Sequence, residues 1–206
     1  MHETKMLREL IETFQDRVDL PIEIDEIRDA IIALGFQDKI ILSAEDLDTG
    51  VLKGAYYQWR EQRGVYGEPV WTSLVVYPEG ESIENQRLIC AKELIHICDR
   101  SVVKARSPDA VLDLAKKLVG PFEAPNGDFA DIMAATDKLA QYQSMNLLFP
   151  IAARKLARER IENGMADLAR IADWAVLPET SIAMLLDEAW DDVSEVMIAI
   201  GNGEPF

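Results

Sequence analysis

The sequence is poor in long hydrophobic runs, in positive charge and in cysteine. The longest stretch without a charged residue, residues 139–153, contains Gln, Ser, Asn and Pro and is too short to span a bilayer. Residues 1–17 carry charges throughout and lack the apolar segment of a secretory signal. With 21 Lys and Arg against 37 Asp and Glu, the formal charge is −16, which disfavours nucleic-acid binding and favours basic partners. We therefore expect a cytoplasmic protein that binds neither membranes nor nucleic acid directly.

The two cysteines, Cys90 and Cys98, fall on one predicted helix. A rise of about 1.5 Å per residue places them about 12 Å apart along its axis. A disulfide needs Cα atoms within about 7 Å of each other. We therefore expect two reduced thiols in the core, as is usual in the cytoplasm.

Nearly half of the residues, 49%, are apolar, so the chain can bury a core. The patterns predict helices, then strands at residues 39–42, 55–59 and 70–77, and then helices to the end, one of them at residues 107–120. Glycines and a proline before the third strand favour an antiparallel hairpin, and the absence of βαβ alternation argues against a doubly wound sheet. The predicted fold class is α+β, with a small three-stranded, mostly antiparallel sheet packed on a mainly helical domain. Residues 1–150 would form its core with the N-terminal helices, and residues 151–206 a helical extension of the same domain.

The helix predicted from residue 82 to about residue 100 carries the residues most suggestive of chemistry. Its core positions follow helical spacing: Leu88, Ala91, Ile95 and Cys98. Lys92 and His96 share another stripe, and Glu93 lies beside them. This is the spacing of H-E-x-x-H, in which two histidines bind zinc and the glutamate is the general base, but the sequence here is K-E-L-I-H. A protonated ammonium has no lone pair to give to a metal ion and would repel it.

The order of elements around this helix resembles the ImmA/IrrE family of zinc metallopeptidases. In that family a strand leads into a helix of the form R-F-x-x-A-H-E-x-x-H, and a later helix supplies a glutamate ligand before an L-L-M-P-like stop. A short helix-turn-helix-like pair then follows. The matching segments here are S-L-V-V-Y-P, R-L-I-C-A-K-E-L-I-H, N-L-L-F-P and L-A-R-I-A-D-W-A-V-L-P-E-T-S-I, within residues 21–186. The resemblance implies a zincin-like metallopeptidase scaffold.

The resemblance also assigns roles to individual residues. Glu93 would be the remnant of the general base and His96 the remnant of the second zinc ligand, while Lys92 replaces the first ligand. Counting back from the L-L-F-P stop puts the third ligand near Leu139, which cannot bind a metal; Asp137 could serve only if the helix register shifted. The resemblance therefore implies a non-catalytic pseudo-peptidase with no cofactor.

Lys92 then has a predicted new role, with its ammonium near the former metal position and paired with Glu93 or another acid on a facing helix. In an ordinary amphipathic helix without that role, Lys92 would pair with Glu93, Asp99 or a distant acid. One alternative is a zinc-dependent metallo-endopeptidase with atypical ligands, namely Glu93, His96 and an acid from residues 131–137. Another is an unrelated α+β protein with a chance K-E-x-x-H. Because members of the family act on repressor-type regulators, often on mobile elements, the resemblance implies a protein partner that is basic or of that regulator type.

The C-terminal part of the chain carries two charged stretches. The basic residues after Pro150 predict one solvated helix face: Arg154, Lys155, Arg158 and Arg160. The acidic residues around Trp190 predict either a solvated surface or a docking site for a basic partner: Asp187, Glu188, Asp191 and Asp192. Between them, residues 167–186 have the outline of a helix-turn-helix, but its second helix has no Lys or Arg, so we expect the pair to pack rather than read DNA.

Overall fold

A computed structural model describes residues 3–49, 53–62, 67–98 and 129–201 of the chain. Two helices come first: α1 (Glu3–Phe14) and α2 (Ile24–Ala33). Three strands follow: β1 (Lys39–Glu45), β2 (Ala55–Gln62) and β3 (Pro69–Pro78). The later described helices are α3 (Ile83–Cys98), α4 (Phe129–Leu148), α5 (Ile151–Glu162), α6 (Leu168–Ala175), α7 (Glu179–Leu185) and α8 (Ala189–Gly201). The predicted α+β class is confirmed, while the helix predicted at residues 107–120 lies outside the described residues.

The first two helices form where apolar side chains recur at helical spacing. The side chains of Leu10 and Phe14 in α1 and of Ile27 and Ile31 in α2 are buried in the core. Gly35 follows the end of α2 with a φ of 99°, a left-handed conformation that glycine adopts without steric cost. Gly35 thus stops this helix shortly after its last turn.

The sheet is mixed, with the strand order β1-β3-β2. β2 pairs with the central strand β3 in antiparallel register, with Trp59 opposite Thr72, so the predicted hairpin is confirmed. β1 lies on the other side of β3 and runs parallel to it, with Ile41 opposite Leu74. A mostly antiparallel sheet was therefore the wrong prediction. A short apolar run such as residues 39–42 can form either a parallel or an antiparallel strand. Because β2 occupies one side of β3, β1 pairs with the other side, where it runs parallel to β3.

One continuous core joins the sheet to the helices. Helix α3 packs on one face of the sheet and, on its other side, against α4. The buried side chains come from elements on both sides of Pro150, as six of them illustrate: Leu10, Ile27, Leu94, Leu148, Ile171 and Leu185. Residues before and after Pro150 thus share one core, while the division at residue 150 stays a prediction.

The two charged stretches near the C-terminus meet at Asp191, so the predicted solvated basic face is wrong for Arg154 and Arg158, whereas Lys155 is exposed. Arg154 is only 2% exposed, and its Nε donates to Asp191 Oδ1 at 3.0 Å. Arg158 donates to the other oxygen of the same carboxylate at 2.8 Å. Arg160 lies over the ring of Trp174. Because Asp191 supplies the counter-charge from α8, Arg154 and Arg158 turn inward.

Helices α6 and α7 pack into the core, as the sequence predicts. The turn between them places Val176 in the left-handed region, with a φ of 51°. The side chains that face the interior are buried: Ile171, Ala175, Leu177, Ile182 and Leu185. Across the described segments, no helix combines the length and the apolar character needed to cross a membrane.

Candidate functional site

Helix α3 lies between the sheet and α4, and the predicted core positions are buried, together with residues on its other sides such as Leu94 and Ile97. Leu88, Ala91, Ile95 and Cys98 all belong to the core. Because residues three and four apart share one side of a helix, this packing fixes the direction of the Lys92 and His96 stripe as well. Lys92, Glu93 and His96 are all largely shielded from solvent.

Lys92 forms two ion pairs at the contact between α3 and α4. Its Nζ lies 2.8 Å from Asp137 Oδ1 and 3.0 Å from Glu93 Oε1. The exposed fractions of the Lys92 and Glu93 side chains are 13% and 4%, so this amine does not reach into solvent. The predicted pairing of Lys92 with Glu93 and with an acid on a facing helix is present, whereas Asp99 lies outside the described residues.

Asp137, not Leu139, is the α4 residue that reaches this cluster. The same Oδ1 atom lies 3.2 Å from His96 Nε2. Asp137 precedes the buried Leu148 by about three helical turns, so the two share the side of α4 that faces α3. Leu139 is two residues further on, which is about 200° around the helix axis. The acid that reaches the cluster thus lies two residues before the position near Leu139 to which counting back from the L-L-F-P stop leads.

The charges in this cluster reinforce one another. Burial would lower the pKa of the Lys92 amine, but the negative charges of Glu93 and Asp137 outweigh it and raise that pKa above its ordinary value. Burial would likewise raise the pKa of the Asp137 carboxyl, but the hydrogen bond with His96 and the charge of Lys92 lower it to about 2. Lys92 is therefore an ammonium, and Asp137 a carboxylate, across the physiological pH range.

Strand β2 closes the cluster from the sheet side through two residues that sequence reasoning did not single out. The ring of Tyr56 stacks on His96, with centroids 6.2 Å apart and planes at 19°. Gly54, just before β2, lies so close to α3 that an added Cβ would collide with Ile89 Cγ2 and would lie 3.3 Å from Glu93 Oε1. The aromatic pattern of residues 55–59 marked the strand, but nothing in it indicated which helix the strand would touch.

The residues present do not fit a zinc ion. A catalytic zinc site uses three protein ligands, but Lys92 in this cluster carries an ammonium that donates rather than accepts. Of the groups that could ligate, Glu93 is ion-paired with that ammonium, and Asp137 Oδ1 contacts both the ammonium and His96 Nε2. In the part of the chain that the structure describes, no group of three His, Cys, Asp or Glu side chains is arranged to hold a metal.

A second feature of α3 is a cleft of about 450 Å³ near its first turns, whose walls include Arg87 and Cys90. Arg87 is fully engaged there, since its guanidinium donates to Glu23 and to the carbonyls of Ile22 and Val176. Burial raises the pKa of the Cys90 thiol to about 12, which leaves almost no thiolate for nucleophilic attack. Both cysteines are free and buried, as predicted.

No protein-family model matches the sequence of this chain, and comparisons with curated proteins and with solved structures also find no match. The ImmA/IrrE resemblance therefore depends on the segments and the element order given above. What the residues themselves provide is a buried cluster of one ammonium, two carboxylates and one imidazole ring.

Proposed function

We propose that the chain is a non-catalytic relative of the ImmA/IrrE metallopeptidases, with a zincin-like scaffold, that acts by binding another protein. It is an interaction or regulatory protein rather than an enzyme. The observation that carries this proposal is the position of the Lys92 ammonium, which lies 2.8 Å from the Asp137 oxygen that His96 also contacts.

The ammonium takes over the electrostatic task of a bound cation. A divalent ion held by His96 and Asp137 would offset the negative charge of Asp137 and of the nearby Glu93. Lys92 offsets these charges instead through ion pairs with both carboxylates. A cation entering this position would have to displace a positive charge that is tied to the protein.

The same contact also occupies the residue that would act as general base. Glu93 Oε1 lies 3.0 Å from Lys92 Nζ, so this carboxylate is part of an ion pair. A general base must be free to accept a proton from water at the reaction centre. Without a metal-activated water and with its base engaged, the cluster supports the fold rather than peptide hydrolysis.

The partner in this proposal is a basic protein or a repressor-type regulator, as for the family it resembles, with an association with mobile elements. The formal charge of −16 supports a partner of opposite charge, because a complementary field speeds encounter and disfavours acidic competitors.

Metal content of the variant Lys92→His tests the proposal. The substitution removes the ammonium and supplies an imidazole one helical turn from His96, with Asp137 as a third ligand from α4. We expect protein purified without chelator, then titrated with zinc, to bind about one zinc per chain in this variant and none at this site in the wild type. Inductively coupled plasma mass spectrometry and isothermal titration calorimetry measure both.

Two matched variants make the result specific. Lys92→Gln removes the charge but adds no imidazole, and the pair Lys92→His with His96→Ala removes one of the three ligands; neither should bind zinc tightly. If the wild type holds stoichiometric zinc that is lost in His96→Ala, and cleaves fluorescently labelled casein, it is instead a zinc endopeptidase with atypical ligands. If Lys92→His gains no affinity for zinc, the family-like arrangement is wrong.

A further inference from the structure

The sheet has two faces, and α3 occupies one of them. Of the described helices, α3 alone packs extensively against the sheet. It does so on the side of Tyr56, whose ring stacks on His96. Because side chains alternate along a strand, Tyr57 and the residues that share its face point to the opposite side. We call this side the outer face.

The strand register defines the outer face, because directly paired residues lie on the same side of a sheet. One row of paired residues contains Ile41, Leu74 and Tyr57, and the next contains Lys39, Thr72 and Trp59. Further rows add Ser43, Val76 and Ala55 at one end, and Val70 with Glu61 at the other.

Large apolar side chains are exposed on this face. Tyr57 is 65% exposed and Val70 is 45% exposed. Tyr57 also stacks on Trp59, with ring centroids 5.8 Å apart, so the two rings form one surface. Trp59 is half-buried, so the pair presents mainly the Tyr57 ring to solvent, and aromatic side chains are enriched where proteins bind one another.

The charges of the outer face lie at its corners and differ in sign. Lys39 begins the edge strand β1, and Glu61 lies near the end of the other edge strand, β2. Glu45 ends β1, where Ser43 Oγ donates to it at 2.8 Å. All three charged side chains are exposed and surround the apolar centre.

We propose that the outer face packs against the outer face of a second copy of this chain. In a two-fold dimer with its axis parallel to the strands, Lys39 of one copy lies above Trp59 and close to Glu61 of the other. With the axis across the strands, Lys39 instead lies above the corner that holds Glu45. The charge pattern of the outer face is thus self-complementary in both arrangements, each of which aligns the strands of the two packed sheets. A two-fold interface requires a self-complementary surface.

The size of the face indicates how strong this dimer is. Three strands about 4.8 Å apart, with a rise of about 3.3 Å per residue, allow two such faces to bury on the order of 1,000 Å² in total. This is the lower limit for a specific interface, and the formal charge of −16 on each copy opposes their association, so the dimer is a weak one. The inference is independent of the proposed function, because it uses no residue of the Lys92 cluster.

Sedimentation equilibrium on the full chain at about 0.15 M salt tests the proposal. We expect the mass to rise from one chain towards two between about 1 µM and about 1 mM protein. The change Lys39→Glu places like charges opposite each other and should weaken the dimer about tenfold or more. Lys155→Glu makes the same change of charge at an exposed site of α5 and should have no effect.

A second charge reversal separates the two arrangements. Adding Glu61→Lys to Lys39→Glu restores the dimer if the axis is parallel to the strands, and adding Glu45→Lys restores it if the axis crosses them. Tyr57→Ser, which removes an exposed ring at little risk to folding, should also weaken the dimer. A wild-type chain that stays monomeric at all these concentrations overturns the proposal, as does a dimer that Lys39→Glu and Tyr57→Ser leave unchanged.

Discussion

At the scale of single residues, Asp137 determines whether a buried amine is tolerated between α3 and α4. Its Oδ1 atom lies 2.8 Å from Lys92 and 3.2 Å from His96, so one oxygen serves two nitrogen groups. Glu93 is the other carboxylate close to the ammonium. Removing one member of a buried ion pair costs more than the pair contributes, because the remaining charge loses its compensation.

We therefore expect Asp137→Asn to destabilise the fold, and to do so in a pH-dependent way. In the folded chain the pKa of Asp137 is about 2, against an ordinary value of 3.8. The unfolded chain thus takes up this proton first, and the stabilisation is complete above about pH 4 and lost as the pH falls towards 2. The difference in unfolding free energy between the wild type and the variant should therefore decrease by about 2 kcal/mol as the pH falls from about 4 to 2. Urea unfolding at a series of pH values measures it.

The exposed Asp173 supplies the control for this experiment. Asp173→Asn should leave the pH dependence of the wild type unchanged, because this side chain is exposed to solvent on α6. A difference between wild type and Asp137→Asn that is constant from pH 5 to pH 2 would show that the carboxylate is not coupled to Lys92.

At the scale of elements, the close approach of β2 to α3 depends on a missing side chain. A Cβ at position 54 would collide with Ile89 Cγ2 and would approach Glu93 Oε1 to 3.3 Å. We expect Gly54→Ala to destabilise the fold by about 1–3 kcal/mol, because the helix and the strand must separate to accept it. Ile89→Ala removes the colliding methyl group, so Gly54→Ala should cost less in that background. A double-mutant cycle by urea unfolding measures the coupling, and additive effects would contradict it.

The elements also show which features a sequence can predict. Periodicity identifies four buried positions of α3, but it misses others, such as Leu94 and Ile97, because the helix is covered both by the sheet and by α4. The direction of β1 cannot be predicted from the sequence, since a short apolar run can pair with its neighbour in either direction. Arg154 was expected in solvent for a similar reason: its counter-charge, Asp191, comes from a distant helix, and local composition carries no sign of it.

The Lys92 cluster could be predicted only in part from the sequence. The lysine in K-E-L-I-H is visible in the sequence, and so is its need for an acidic partner. Which acid of α4 faces it depends on where the helix ends and on how it is rotated, and an error of two residues turns the helix by about 200°. Motif counting gave Leu139, whereas the packing of α4 on α3 brings Asp137 to the site.

At the scale of the whole molecule, the segments before and after Pro150 depend on each other for buried contacts. Asn146, near the end of α4, is 4% exposed, and its Oδ1 accepts hydrogen bonds from Arg154, Trp190 and Ser194. All three donors lie after Pro150. The core likewise includes Ala153, Ile171 and Leu185 from the C-terminal helices, so a chain cut at residue 150 would expose apolar surface and leave this amide without its donors.

We therefore expect the fragment of residues 1–150 to lack a cooperative fold, although it holds the whole sheet and the Lys92 cluster. Its amide resonances should be poorly dispersed, and its urea unfolding should be broad, because the lost contacts exceed the margin by which a domain of this size is stable. Adding a synthetic peptide of residues 151–206 should restore dispersed resonances, since the two pieces share one core. A fragment that unfolds as sharply as the full chain would instead show that residues 1–150 form a separate domain, and that the C-terminal helices are free to take another role.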